Sequence, residues 1–427
     1  MRALLLACAA FIAAPVAAQT IAITGGTVAI GDGGAPIENA TVIIRDGKIV
    51  AAGKGVAVPA GAEQINATGK WVTPGLFAGF SRLGLSEVEA VEQTNDTLAR
   101  RSTFSVAIDT ADAINPRAKA IAVSRANGVT RAVVAPGTGN SIFAGQGVVI
   151  DTGADINAIT KKAAFQLVEF GEGGASDAGG SRAANFAYFR NAIAEARDYR
   201  LGKKEDDLIL KKPDIKALLP VIDGQIPLMV MVNSAVDIHR VLGLKSEFPQ
   251  IRMILSGVIE GWEVAGEIAA AKVPVVINPM NDLPDSFEAL SATQSNAGRM
   301  AKAGVSVSFG QIGDFDTLQV RLLPQYAGNM VALTKVPGAT GMSWGQALAS
   351  ISSRPAEMMG LGDQLGSLKT GRRGDVVLWD GDPLELSSAV TALWIDGVRQ
   401  PLDTRQDRLR DRYMLPTEGN LPKAYDR

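Results

Sequence analysis

The chemistry open to this chain is set first by its donors. Its 427 residues include one histidine, His239, and one cysteine, Cys8. A zinc ion takes about four nitrogen, sulfur or oxygen donors at roughly 2.0–2.3 Å, so carboxylates would have to build most of any metal site. The acids that follow strand-like runs are Glu172, just after FQLVEF (165–170), Glu260 and Asp314, and Asn233 and Asn278 hold comparable places. Each also reads as a loop-start or helix-capping residue. Together they would make a polar rim able to hydrogen-bond a ligand. Arg82 adds a permanent cation. It is suited to a bidentate hold on an anionic group, or to an internal pair with Glu172 or Glu260. Glycosidase-type chemistry would need two acids at a defined separation, which sequence spacing does not fix. His239, in DIHRVL (237–242), reads as a surface histidine on an outer helix.

The elements that would position these residues fall into a β-rich beginning, an alternating middle and a β-rich end. TVIIR (41–45), Asp46-Gly47 and KIVAAG (48–53) form a hairpin pattern, since Asp-Gly between β-rich runs favours a tight turn. Residues 374–380 and 390–395, the latter before Asp396-Gly397, read the same way. Two such ends around a long middle predict one small β domain built from both. In the middle, seven apolar runs read as strands buried on both faces: 75–80, 128–134, 163–170, 227–232, 251–257, 273–278 and 305–310. Helical stretches lie at 185–199, 236–247 and 262–271. A closed (β/α)8 barrel of the TIM type is the natural completion, with the eighth strand unplaced. Residues 87–115 and the Gly-rich 171–182 (GEGGASDAGGSR) read as excursions, the second as a mobile loop. Neither it nor PGTGNSIFAGQG (136–147) has the Gly-Lys-Ser/Thr ending of a phosphate loop.

Composition narrows the partners. With 47% hydrophobic and 20% charged residues the chain can bury a large core. A net charge of −2, with both signs spread along the chain, excludes an electrostatic case for nucleic acid. Arg2, the apolar run 3–14 and Val16-Ala17-Ala18 have the form of a cleavable signal peptide, with cleavage after Ala18 and export to a bacterial periplasm. Twelve apolar residues are too few to span a bilayer, so no membrane span is expected. Cys8 lies in this segment, so the mature chain has no thiol ligand or disulfide.

IRDGKIVAAG (44–53), VTPGLFAG (72–79), ISSRPAEMMGL (351–361) and LGSLKTGRRGDVVLWDGDPLE (365–385) resemble the amidohydrolase superfamily, in its imidazolonepropionase-like branch, over nearly all of the mature chain. The resemblance implies a metal-dependent hydrolase barrel at 73–362 and a composite β-sandwich at 19–72 and 363–403. A signal peptide (1–18) would precede them, and a charged tail (404–427) would follow as an extended arm. It also implies one or two divalent metals held by a His-x-His pair, a bridging carboxylate or modified lysine, two further histidines and an aspartate. The corresponding positions here carry Phe80 and Arg82, Met231, Gly257 and Ile312, with Asp314 as another match for the last. Phe, Met and Gly remove donors, and Arg82 puts a cation where a cation would bind. No metal or other cofactor is therefore expected, and no catalytic residue is assigned.

Three roles remain open. The first is an exported non-catalytic homologue that binds a small-molecule ligand or serves as partner subunit to a catalytic paralogue. The second is a divergent hydrolase of amide, cyclic amide or dipeptide C–N bonds. The third is a scaffold for assembly, including homo-oligomers. Arg82, Glu172, Asn233, Glu260 and Asn278 are the expected ligand-binding residues at the barrel mouth.

Overall fold

The computed structural model describes residues 20–203, 207–312 and 317–414. The signal-peptide segment, Cys8, Asp314 and residues 415–427 lie outside the described residues.

Both chain ends contribute to one sheet. Its strands are β1 (Thr20–Val28), β2 (Ile37–Arg45), β3 (Lys48–Lys54), β4 (Glu63–Asn66) and β5 (Trp71–Pro74) from the beginning. From the other end come β14 (Val376–Trp379), β15 (Val390–Ile395) and β16 (Val398–Arg399). The order is β16-β15-β14-β5-β1-β2-β3, with β4 beside β1. The expected hairpin is present: Arg45 faces Lys48, and Asp46 and Gly47 have φ of 51° and 73°. Positive φ at both central residues gives the turn a twist that matches the strands. Asp396 and Gly397 repeat it between β15 and β16, at 52° and 75°.

The second sheet is an eight-stranded, nearly closed barrel. It comprises β6 (Leu76–Ser81), β7 (Val129–Val134), β8 (Phe143–Asp151), β9 (Ile159–Glu169), β10 (Leu228–Val232), β11 (Met253–Gly257), β12 (Val275–Ile277) and β13 (Val307–Phe309), in that order. At the seam the Gln311 N–H donates to the Phe80 carbonyl at 2.8 Å. A side chain at Gly310 would put its Cβ 2.6 Å from that of Phe80, so the close approach needs glycine. The seven sequence-read strands are all here. The eighth is β8, antiparallel to both β7 and β9, so a uniformly parallel (β/α)8 barrel is corrected to a mixed one. Antiparallel neighbours need no helical crossover, and none lies between β7 and β9. Gly147 makes room for Phe165, whose ring would lie 1.9 Å from a Cβ there.

Helices cover the outside: α1 (Lys119–Ala126), α2 (Gly171–Asp177), α3 (Arg182–Arg200), α4 (Lys212–Ile222), α5 (Ala235–Glu247), α6 (Ala265–Ala270), α7 (Asn296–Lys302), α8 (Leu323–Ala332), α9 (Trp344–Ser350) and α10 (Ser353–Met358). Their apolar faces and the outward strand residues form the largest buried cluster. A second cluster fills the barrel from Phe77, Val133, Phe165, Leu167, Met229 and Val276. The barrel is thus a packed core.

Two expectations change here. The Gly-rich 171–182 is not a loop throughout, because 171–177 is helix α2. The tail is not extended at its start either, because α11 (Arg405–Met414) follows Thr404. There the Thr404 N–H donates to the Asp407 carboxylate (2.9 Å) and the Asp407 N–H to Thr404 Oγ1 (3.3 Å). This reciprocal pair satisfies two amides at the helix start. No helix among the described residues is long and apolar enough to cross a membrane.

Candidate functional site at the barrel mouth

The C-terminal ends of barrel strands are where loops and inward side chains meet. Phe80 and Arg82 arrive on β6 and just after it. Phe80 is buried, and the Arg82 guanidinium lies over its ring, 5.5 Å from the centroid. A cation over an aromatic face is attracted by the ring quadrupole. Arg82 is itself buried, donates from Nη1 to the Ala135 carbonyl at 2.7 Å, and is attracted by Glu169. Burial lowers its pKa to about 10, against the opposing pull of Glu169.

Glu169 ends β9. Thr138 Oγ1 donates to its Oε2 at 2.5 Å. Burial, with the charges of Asp177 and Glu288, pushes the Glu169 carboxyl above the usual carboxylate range against the pull of Thr138 and Arg82. Asp177 and Glu288 are raised as well, each chiefly by burial. Glu169 therefore interacts with both of these acids and with the buried Arg82 cation. Like charges in a desolvated space favour the neutral acid.

The glycines after β9 explain how α2 wraps these acids. A Cβ at Gly171 would fall 2.2 Å from Glu288 Oε1, one at Gly173 would fall 1.9 Å from Glu169 Oε1, and one at Gly174 would fall 2.1 Å from the Glu169 carbonyl oxygen. The run is Gly-rich because the helix backbone passes against two carboxylates. The Glu172 N–H donates to Glu288 Oε1 at 2.6 Å, which fixes the first turn.

The other sequence-named residues separate into different roles. Glu172 projects from α2, with its side chain 42% exposed, toward Arg182 at 3.6 Å. It is Glu169, three residues earlier, that ends the strand and attracts Arg82, in place of the expected Glu172 or Glu260. Glu260 is buried and fully engaged: Oε2 accepts the Ala235 N–H at the start of α5, and Oε1 accepts the Ser291 N–H, both at 3.0 Å. A carboxylate at a helix N-terminus is also favoured by the dipole. Asn278 Oδ1 accepts the Met280 N–H at 3.0 Å, a local turn. Asn233 hydrogen-bonds Glu288. His239 is a surface residue, with Nδ1 2.7 Å from Glu267 Oε2 and a side chain 67% exposed.

Of the remaining expected ligand positions, Met231, Gly257 and Ile312 bring no hard donor. Met231 packs against the barrel cluster, and Ile312 belongs to it. Gly257 has φ 88°, with Asn233 Oδ1 2.3 Å from where a Cβ would stand. Val258 follows at φ 51°, rare for a β-branched residue. Asn296 Nδ2, 2.9 Å from the Val258 carbonyl, helps to hold it. Among the described residues no three His, Cys, Asp or Glu side chains are grouped to hold a metal ion. A buried guanidinium, an aromatic ring and aliphatic side chains are not the donors that a divalent ion takes.

Thr138, Glu169, Asp177 and Glu288 were not singled out from sequence. The available signal was the Glu inside FQLVEF followed by glycines at 171, 173 and 174, a pattern of close backbone approach.

Comparison with known proteins agrees with the fold. The model of the Amidohydrolase family matches residues 264–399. A curated relative, Amidohydrolase tasK of Hapsidospora irregularis, is 43% identical over 60 residues, which is 14% of this chain and 6% of that protein's length. The crystal structure of an amidohydrolase from Thermotoga maritima MSB8 superposes with a TM-score of 0.77 at 24% identity, covering 89% of this chain and 99% of that one. Molinate hydrolase gives 0.53 at 20% identity, over 90% and 95%. A triazine hydrolase variant gives 0.55 at 17% identity, over 92% and 98%. The amidohydrolase family model thus matches the C-terminal third of this chain, and the described residues share the fold of these solved hydrolases.

Proposed function

We propose that this chain is an exported amidohydrolase-superfamily protein whose metal-ligand motif is lost, and that it acts without catalysis as a ligand binder or partner subunit. One observation carries the reading: Arg82, buried over Phe80 and fixed to the Ala135 carbonyl, occupies the second position of the expected His-x-His pair. A permanent cation there opposes a divalent ion. It also supplies a fixed donor for an anionic ligand group that displaces Glu169 from its side. The same reading carries the domain plan of a signal peptide to residue 18, a barrel at 73–362 and a separate composite β-sandwich at 19–72 and 363–403. A catalytic paralogue is the partner that it favours.

The test is elemental mass spectrometry on residues 19–427 purified without chelator. Metal well below one equivalent is expected. One equivalent of zinc, manganese or iron that is lost in Glu169→Gln would overturn the reading. Export is checked separately by N-terminal sequencing of the periplasmic protein, which should begin at Gln19.

A second reading, a divergent hydrolase of C–N bonds, is favoured by the raised pKa of Glu169. A carboxyl raised above the usual carboxylate range is the kind that serves as general acid or base. Turnover on a panel of cyclic amides and dipeptides, abolished in Glu169→Gln, would establish it and displace the first.

A further inference from the structure

A second concavity lies at the opposite end of the barrel from Arg82 and Glu169. It is a cavity of about 550 Å³ at the N-terminal ends of β10 to β13, where Pro227, Arg252, Pro274 and Ser306 precede or open the strands. That volume is within the usual range for small-molecule pockets. Its walls include the apolar side chains of Met253, Ile254, Ile268, Val273 and Met358.

Its charge is one-sided. Lys245, Arg252 and Lys272 line it, and the one lining carboxylate, Glu357, is engaged by Arg354 at 2.8 Å. No carboxylate pairs with Arg252 or Lys272 among the described residues. Lys161 stands close enough to Arg252 that burial and the Arg252 charge together lower its pKa, and its Nζ is tied to the Met359 carbonyl at 2.8 Å.

Helix C-termini account for part of this. Lys245 ends α5 and donates to the Ala271 carbonyl at 2.6 Å, and Lys272 closes α6, so both complement helix dipoles. Arg252 has no such explanation. It sits at the start of a strand, exposed, where it repels Lys161 with no acid to offset it. Lys272 also holds φ of 53°, a conformation that favours glycine or asparagine. Uncompensated cations beside apolar side chains in one cavity are the complement of an anion that has an apolar body.

We propose that this cavity binds an organic anion, with its charged head between Arg252 and Lys272 and its hydrocarbon or aromatic body against Met253, Ile268 and Met358. The site is separate from the mouth and does not depend on what the mouth does.

The experiment is fluorescence titration of residues 19–427 with 1-anilinonaphthalene-8-sulfonate, followed by displacement with octanoate, octyl phosphate or inorganic phosphate. Saturable binding is expected, weakened at least tenfold in Arg252→Glu/Lys272→Glu and unchanged in Arg82→Met. Ala269→Trp leaves every charge in place and fills the cavity wall, so it should abolish binding while thermal unfolding stays cooperative. The two octyl anions should displace the dye, and the stronger one identifies the head group as carboxylate or phosphate. Inorganic phosphate should fail at the same concentration because it has no apolar body. The proposal is overturned if binding survives Ala269→Trp, if the charge reversals leave it unchanged, or if no saturable binding occurs.

Discussion

Glu169 is the residue whose environment makes the sharpest demand on the chain. Burial and neighbouring acids raise its pKa in the folded state above the value in the unfolded chain. The folded state then binds more protons than the unfolded state between those two values, so stability falls as pH rises through that window. Glu169→Gln should remove one proton's share of this slope, at most about 1.4 kcal/mol per pH unit. Denaturant unfolding of both proteins across the mildly acidic to neutral range measures it. Equal slopes would mean that Glu169 is not perturbed. At this scale the sequence singled out Phe80 and Arg82 but not what surrounds them. Phe80 and Arg82 stand out because their frame is intact, whereas Glu169 is hidden inside an apolar run. Its inward position follows from the register of β9, and three irregularities in the β8–β9 pairing put that beyond local pattern.

Elements were legible where both faces of a strand are buried and obscure where glycine sets the geometry. The seven parallel strands carry continuous apolar runs. β8 contains Gly145 and Gly147, and its neighbours turn back on it without a helix, so neither composition nor alternation marks it. Helix α2 was obscured in the same way, since its glycines suit a loop until the carboxylates they accommodate are known. Two substitutions separate the uses of helical glycine. Gly174→Ala would drive a Cβ to 2.1 Å from the Glu169 carbonyl oxygen and 2.3 Å from Asn185 Nδ2. It should cost about 1–3 kcal/mol through overpacking. Gly243→Ala, inside α5, meets nothing within 4 Å. It should stabilise the protein by about 0.5–1 kcal/mol, because alanine loses less backbone entropy in a helix. Thermal or denaturant unfolding of the two variants should move in opposite directions.

Across the whole molecule, one buried arginine joins the barrel to the sheet made by the chain ends. Arg131 on β7 is 1% exposed, yet it contacts Asp375 through Nε at 2.7 Å and Nη2 at 3.0 Å. It also reaches Asp396 at 3.0 Å, Thr160 at 2.8 Å and Asp151 at 3.4 Å. Asp375 opens β14, and Asp396 turns β15 into β16, where it is also bound by Arg373. These acids hold the Arg131 pKa above its ordinary value despite burial, so it remains charged at every accessible pH. The motif GRRGDVV read as family resemblance, but its partner on β7 lies 244 residues away and no local pattern announces it. Removing one member of such a cluster leaves buried charge uncompensated. Arg131→Ala should therefore cost about 3–5 kcal/mol. Arg131→Met combined with Asp375→Asn should recover part of that loss, because two of the stranded charges go together. A double-mutant cycle on unfolding free energy reads the coupling directly. Near-zero coupling would mean that apolar contact, rather than this ion cluster, holds the terminal sheet against the barrel.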